Sequence, residues 1–488
     1  MTRGDMTPAR RSLTCLGLGA ALGIMADISR MWIPDRLGTA AWLALLLAAL
    51  LVLLDSEADE SGLPLAAAAV GLGALVWRDS PALHLLNLAA IGGCIVAGSR
   101  IGAPLVRGAG GVLAWVLAFV EAGAHAALGA AAALSESAWM RLPGGRNVRG
   151  ATSAVFGLVL VAPVLAIFSA LFAEADPLFA DGIAHAFQLD LSGFVPHAFV
   201  IGAVGWASAG FLRGAVRGSA INVPAVPGGG SIPFATVGTA LGCIASLFLV
   251  FVLLQARYLF GGASLVGAAG TLSYADYARR GFFELVAVTA LTLPLLLLAD
   301  WALDQRSGRA RARFRSLAGL LLGLLGVIVL SALSRMALYT GMYGLTELRV
   351  YVTAFMLLLC AVFAWFGLTV LRGNRSGFMR GALIASGCAV AALNVMSPDA
   401  LIARVNLGRP SAQMPVDVSY LTSLSADAVP ALLEQASTLD RRTRCELLAE
   451  LRDRWLGTSG DFSIARIEAR RALEHDGLSI EMECALES

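Results

Sequence analysis

Six of the seven tyrosines, Tyr258, Tyr274, Tyr277, Tyr339, Tyr343 and Tyr351, fall between positions 258 and 351. Arg257, Arg279, Arg280, Arg335 and Arg349 are interleaved with them, and Asp276 and Glu284 stand nearby. Guanidinium groups neutralise phosphate or carboxylate and phenol hydroxyls add directional hydrogen bonds, so this set suits an anionic solute or lipid headgroup. A carboxylate among arginines also suits proton transfer, with Asp276 or Glu284 as acid or base and the arginines steadying developing charge. The candidate polar site is therefore Arg257, Tyr258, Tyr274, Asp276, Tyr277, Arg280, Glu284, Arg335, Tyr339, Arg349 and Tyr351.

Spacing suggests which of these meet. On a continuous helix, Asp276 and Arg280 lie four residues apart, as do Arg280 and Glu284, so all three share a face with Tyr277. Arg335 and Tyr339 are a second i, i+4 pair. Gly341 and Gly344 then loosen the chain, and Thr346 is placed to cap the next helix ahead of Arg349 and Tyr351. The structural alternative is an aromatic belt whose arginines snorkel to headgroups. A belt should dress both faces and every helix, whereas these residues crowd into one stretch, which favours a pocket.

The elements that must position them are membrane helices. The chain has 488 residues, 58% of them hydrophobic and only 14% charged, with a mean hydropathy of +0.75. That composition, with many apolar runs near 20 residues, predicts an all-α, polytopic transmembrane helix bundle. The runs fall at 13–29, 38–54, 62–77, 82–99, 151–173, 193–212, 234–255, 281–299, 317–338, 350–371 and 380–396, eleven in all. A twelfth run at 111–134 is Ala-rich and interrupted by Glu121 and His125.

Loop arginines decide how that run is treated, because positive charge stays on the cytoplasmic side. All 36 basic residues are arginine, which with the abundant Ala and Gly suggests a GC-rich bacterial genome. With 111–134 kept on the membrane surface as an interfacial helix, the inner segments hold 18 arginines and the outer loops eight. Letting it cross moves the basic run 306–315 outward and the acidic loop 174–192 inward. The expectation is eleven spans in the bacterial cytoplasmic (inner) membrane, a cytoplasmic amino terminus and an extracytoplasmic carboxyl tail. Five of the eight outer arginines then sit in the tyrosine segments, against the general bias.

Two domains are expected: the bundle at 1–396, and at 397–488 a soluble acidic helical tail carrying 15 acids against 10 arginines. In the tail, Ser425 is placed to cap a helix through Leu433, with further helices near 439–456 and 463–475. Its first part, 394–406, leaves the last span directly and should fold back over the outer mouth as a cap or docking surface. Cys445 and Cys484 are the cysteines outside the apolar runs and the candidates for a disulfide. Cys15, Cys94, Cys243, Cys360 and Cys388 sit within such runs, as small buried apolar residues.

Other chemistry is poorly supported. There is no CxxC or HExxH, no GxSxG and no Walker A loop, and the five histidines are scattered singly. No metal or cofactor is expected, and no nucleic acid. Pro163 and Pro294 are candidates for bent helices, but no inverted repeat of the kind many transporters carry is apparent. GxxxG pairs such as Gly19 with Gly23 and Gly319 with Gly323 can bring helices close, although 53 glycines produce such pairs by chance.

Three classes stay open. Binding or transport of an anionic envelope solute or lipid headgroup comes first, because the polar set is rich in arginine and tyrosine and poor in nucleophiles. The second is a membrane-embedded envelope transferase or hydrolase, and the third a non-catalytic sensor or assembly factor whose tail binds an envelope protein.

Several segments resemble a known family. They are GlnAlaArgTyrLeuPheGlyGly at 255–262, SerTyrAlaAspTyrAlaArgArgGlyPhePheGluLeu at 273–285, and the stretch from Ser334 to Tyr351. The likeness extends to Ala26 and Asp27, to 168–180, to AsnValMetSerProAspAlaLeuIleAlaArgValAsnLeu at 394–407 and to AspValSerTyrLeuThrSerLeuSerAlaAspAlaValPro at 417–430. Together they are similar to bacterial polytopic membrane proteins grouped as domain of unknown function four-one-seven-three, with four-one-five-three as a related group. The resemblance implies a membrane bundle over nearly the whole chain and no established activity. A sensor-kinase label carried by some such proteins finds no support here: His475 lacks a phosphoacceptor helix context and no ATP-binding module follows.

Overall fold

A computed structural model describes residues 8–32, 35–54, 62–101, 112–136, 191–217, 232–260, 282–303, 308–408, 416–456 and 462–485. The described chain is all-α, with no strand beyond an isolated bridge between Ile232 and Leu303. Ten of its helices are long and apolar enough to cross a membrane. Nine of them coincide with nine of the eleven expected runs. Of the other two runs, 151–173 lies outside the described residues, and 62–77 forms a shorter apolar helix, Gly62–Trp77. The tenth helix is the run expected to lie on the surface, which is one unbroken helix of spanning length and hydropathy. Helices are the form this composition must take, since hydrocarbon offers the backbone no other hydrogen-bond partner. Their outward leucines, such as Leu247, Leu254 and Leu330, remain exposed.

The chain divides into two compact units. The first contains α1 (Pro8–Trp32), α2 (Asp35–Leu53), α3 (Gly62–Trp77), most of α4 (Pro81–Gly98), α5 (Val112–Glu136) and α6 (Leu191–Arg217). Here α1 runs antiparallel to α6. Gly19 and Gly23 lie so close to the backbone of Gly205 and the carbonyl of Ile201 that no side chain fits between them. The pair therefore has a packing role, while Gly319 and Gly323 face open space. Helix α5 runs parallel to the second half of α6, with Gly129 against Gly210 and the Trp206 indole donating to the Ala127 carbonyl at 2.8 Å. Leu22, Leu46, Leu50, Leu75, Ile91 and Leu212 fill the core of this unit.

The second unit comprises residues 78–83 and 223–458 together with 465–488. Its membrane part is α7 (Phe234–Phe260), α8 (Phe282–Ala302), α9 (Gly308–Tyr343), α10 (Glu347–Thr369) and α11 (Arg375–Met396). Leu241, Leu296, Leu321, Leu325 and Phe366 form its core. Helix α9 has 36 residues, roughly 54 Å at 1.5 Å per residue, so its arginine-bearing first turns extend beyond a hydrocarbon layer of about 30 Å. Gly344, at φ 81°, makes the reversal into α10 in a left-handed conformation that suits glycine.

The tail is α12 (Pro398–Leu407), α13 (Val418–Ser423), a 3₁₀ turn at 426–428, α14 (Val429–Gln435), α15 (Arg441–Leu456) and α16 (Ile464–Ala485). It has its own core of Ile402, Leu421, Leu432, Leu447, Leu451 and Leu473, and this core also takes in Val350 at the start of α10. Ser425 does occupy a helix-entry position, but its hydroxyl makes no cap bond. Thr346 likewise precedes α10 without a side-chain cap bond. Cys445 is disulfide-bonded, while the five cysteines of the apolar runs are free.

Candidate functional site

The described candidates do not form one cluster. Arg257 and Tyr258 fall in the last turn of α7, with their side chains outside the described residues, where Tyr274, Asp276, Tyr277 and Arg280 also lie. Of the expected acid–base ladder only Glu284 is described, exposed in the first turn of α8. Arg335 is half-buried on α9.

Tyr339 and Arg349 do meet. The Arg349 guanidinium stacks over the Tyr339 ring at 4.2 Å, and the Tyr343 ring lies 5.1 Å from that of Tyr339. The same guanidinium donates to the carbonyls of Gly344 at 2.5 Å and Tyr343 at 3.3 Å. Arg349 thus neutralises the carboxyl end of α9 and closes the turn after it, as a cation at a helix C-terminus does. From the far side Asn406 clamps this turn, accepting from the Leu345 N–H at 2.7 Å and donating to the Leu345 carbonyl at 2.9 Å. The Tyr420 hydroxyl takes the Glu347 N–H at 3.0 Å.

Tyr351 turns elsewhere. Its hydroxyl lies 3.2 Å from Ser80 Oγ and marks the edge of a buried network of carboxylates and arginines. Arg78 donates through Nε to the Asn394 carbonyl at 2.7 Å and through Nη1 to Asp427 Oδ1 at 3.1 Å. Asp427 Oδ2 accepts from the N–H groups of Asp79 at 2.7 Å and Ser80 at 3.1 Å, and lies 3.2 Å from Ser425 Oγ. Asp79 reciprocates, receiving Arg466 Nε at 2.7 Å and the Ala426 N–H at 3.2 Å. The turn at 78–80 and the tail therefore exchange paired charges and backbone bonds in both directions.

Asp399 is the exception within this network. Its side chain is fully buried; Oδ2 accepts from the Ser425 hydroxyl and N–H, while Oδ1 has no partner among the described residues. Burial, reinforced by the nearby carboxylates of Glu347 and Asp427, pushes its carboxyl up to about 7, against the lowering pull of Ser425. Asp427 and Asp79 each have an arginine, and Asp399 has none in contact among the described residues. A protonated Asp399 is the arrangement that leaves no uncompensated charge inside. Among the described residues no group of three or more His, Cys, Asp or Glu is placed to hold a metal ion.

The first unit has a polar pair of its own: His197 Nδ1 lies 2.9 and 2.8 Å from the two carboxylate oxygens of Asp27, between α6 and α1. Asp27 stood out through the family likeness; His197, one scattered histidine among five, carried no local signal.

The network, too, escaped a reading by type and spacing. Asn394, Asp399, Ser425, Asp427 and Tyr351 all lie in segments that carry the likeness, but the partners of Asn394, Asp427 and Tyr351 at 78–80 are more than 260 positions away in sequence. Arg78 counted only as one outer-loop arginine.

A family model described as a domain of unknown function, DUF4153, matches residues 65–435. That range includes every member of the network except Arg466. The match is to the group that the sequence suggested as related, four-one-five-three, and not to four-one-seven-three. No curated protein matches the chain, and no solved structure does.

Proposed function

The chain belongs to the DUF4153 family, a domain of unknown function over most of its length, and from that premise we propose a non-catalytic sensor or assembly factor of the bacterial cytoplasmic membrane. Its helical tail acts as an extracytoplasmic cap that docks an envelope protein. The observation that carries this reading is the use made of the described polar groups. Arg78 and Arg466 spend donors on Asp427 and Asp79, joining the tail to the 78–80 turn, Asn406 and Tyr420 join it to the α9–α10 turn, and Arg349 closes that turn from within.

Orientation has three supports. Inner segments hold most of the loop arginines. The disulfide at Cys445 fits an oxidising compartment. The tail also bonds both to residues 78–80 and to the 343–347 turn, so an even number of crossings separates the two. Crossing by α4, 151–173, α6, α7, α8 and α9 meets that condition; adding α5 breaks it.

Complementation tests the reading. In a strain lacking the gene, full-length protein and the Glu284→Gln variant should restore the envelope phenotype equally, and the chain truncated after Met396 should not, although it inserts. Restoration by the truncated chain, together with loss in Glu284→Gln, would instead mark an enzyme. A second reading, an anionic solute or lipid headgroup held by Arg257, Arg280 and Arg335, draws on the crowding of five outer arginines into the tyrosine segments. Arg335→Gln should then weaken binding of that anion with folding intact.

A further inference from the structure

The first unit holds a cavity of about 250 Å³ whose lining includes Arg11, Ser12, Cys15, Arg100, Arg213 and Arg217. Four helices end here. Arg11 and Ser12 come from the first turn of α1, Arg100 follows α4, Arg213 and Arg217 close α6 one turn apart, and Glu136 is the last residue of α5. The Arg100 N–H donates to the Ala215 carbonyl at 2.9 Å, which pins the end of α4 to that of α6.

Glu136 is the carboxylate that answers Arg213 and Arg217, and it is already saturated. It accepts from Arg213 Nη2 at 2.5 Å and Nε at 3.2 Å, from Arg217 Nη2 at 2.6 Å and from Ser12 Oγ at 2.9 Å. Among the described residues the lining contains no acid, and Arg11, Arg213 and Arg217 outnumber the one carboxylate at its side. A surplus of positive charge around a partly enclosed space attracts an anion far more strongly than the same charge spread in water. Arginine caps on helix carboxyl ends alone would need no cavity, and an arginine that snorkels reaches water. The Arg213 side chain is only 11% exposed.

We propose that this cavity binds a phosphate group, presented either by an anionic phospholipid headgroup or by a free phosphate. Guanidinium forks match phosphate oxygens bidentately, Ser12 adds a hydroxyl, and helix ends are the level at which lipid phosphates lie. The site is at the amino-terminal end of α1, in a different unit from the capped network, and stands independently of the function proposed above.

The test uses the full chain in a neutral detergent, with its thermal midpoint followed by tryptophan fluorescence. Dioctanoyl phosphatidylglycerol and inorganic phosphate are the probes and dioctanoyl phosphatidylcholine the control. A saturable rise in midpoint that weakens with added NaCl is expected from at least one anionic probe. A rise with phosphatidylglycerol alone assigns a lipid headgroup; a rise with inorganic phosphate assigns a free phosphate. Arg11→Gln/Arg100→Gln should raise the half-saturating concentration at least tenfold, and Arg36→Gln should leave it unchanged. If the double variant does not fold, Arg11→Gln alone should raise it at least threefold. The proposal is overturned if neither anionic probe exceeds the control, or if the folded variant binds as tightly as the unsubstituted chain.

Discussion

Asp399 sets burial against charge within one carboxyl group, and its titration gives a signed prediction. Its folded value of about 7 lies above the roughly 3.9 of an unfolded aspartate. Below about pH 4 both states hold the proton. Between about pH 4 and 7 only the folded state does, so stability falls as pH rises, and above 7 the loss is complete. The charged groups that act on it are Glu347 on α10 and Asp427, which is paired with Arg78. Asp399→Asn, a neutral isostere, should match the unsubstituted chain near pH 4.5, unfold at a higher temperature at pH 8, and show a flatter pH profile between. An unchanged slope would show that Asp399 does not titrate in this window. Arg78 tests the same network from the cationic side. Arg78→Ala leaves the buried Asp427 without its counter-charge and should cost about 3–5 kcal/mol of tail docking, read as faster proteolytic release of the tail with the bundle intact.

Among the elements, the α1–α6 crossing and the α9–α10 turn carry the sharpest consequences. Gly19 and Gly23 face backbone that a methyl group would strike, so Gly19→Ala should lower stability by about 1–3 kcal/mol. Gly319→Ala points into open space and should raise it by roughly 0.5–1 kcal/mol, since alanine is the better helix former. Thermal unfolding of the detergent-solubilised variants compares the two directly, and equal effects would contradict the packing described. At the turn, Asn406 satisfies both backbone groups of Leu345. Asn406→Ala strands that donor and acceptor and should cost about 1–3 kcal/mol, seen as increased hydrogen exchange at residues 343–347.

The whole molecule is tested by its topology. Alkaline phosphatase, which folds only after export, should be active when fused at Ser488, and green fluorescent protein at the same place should stay dark. The reverse pair would invert the chain and place the disulfide of Cys445 in a reducing compartment. Fusions at residue 140 then decide whether α5 crosses: a reporter on the cytoplasmic side agrees with the even count between Ser80 and Gly344, and one outside removes it.

Membrane residence and helix positions were legible in the sequence, because each rests on local composition. A run of about 20 apolar residues must become a helix in hydrocarbon, whatever its neighbours do. The crowding of tyrosine and arginine was equally visible, but its meaning was not. Whether Arg349 faces a ligand or a carbonyl, and whether Tyr351 belongs with Tyr339 or with Ser80, depends on which turns pack together. Spacing along one helix says nothing of partners hundreds of residues away. Gly19 and Gly319 begin identical GxxxG pairs, and packing alone separates a tight crossing from an open face. The same holds for Asp399, whose identity is ordinary and whose burial, without a cation, exists only once the tail has closed over the turn at 78–80.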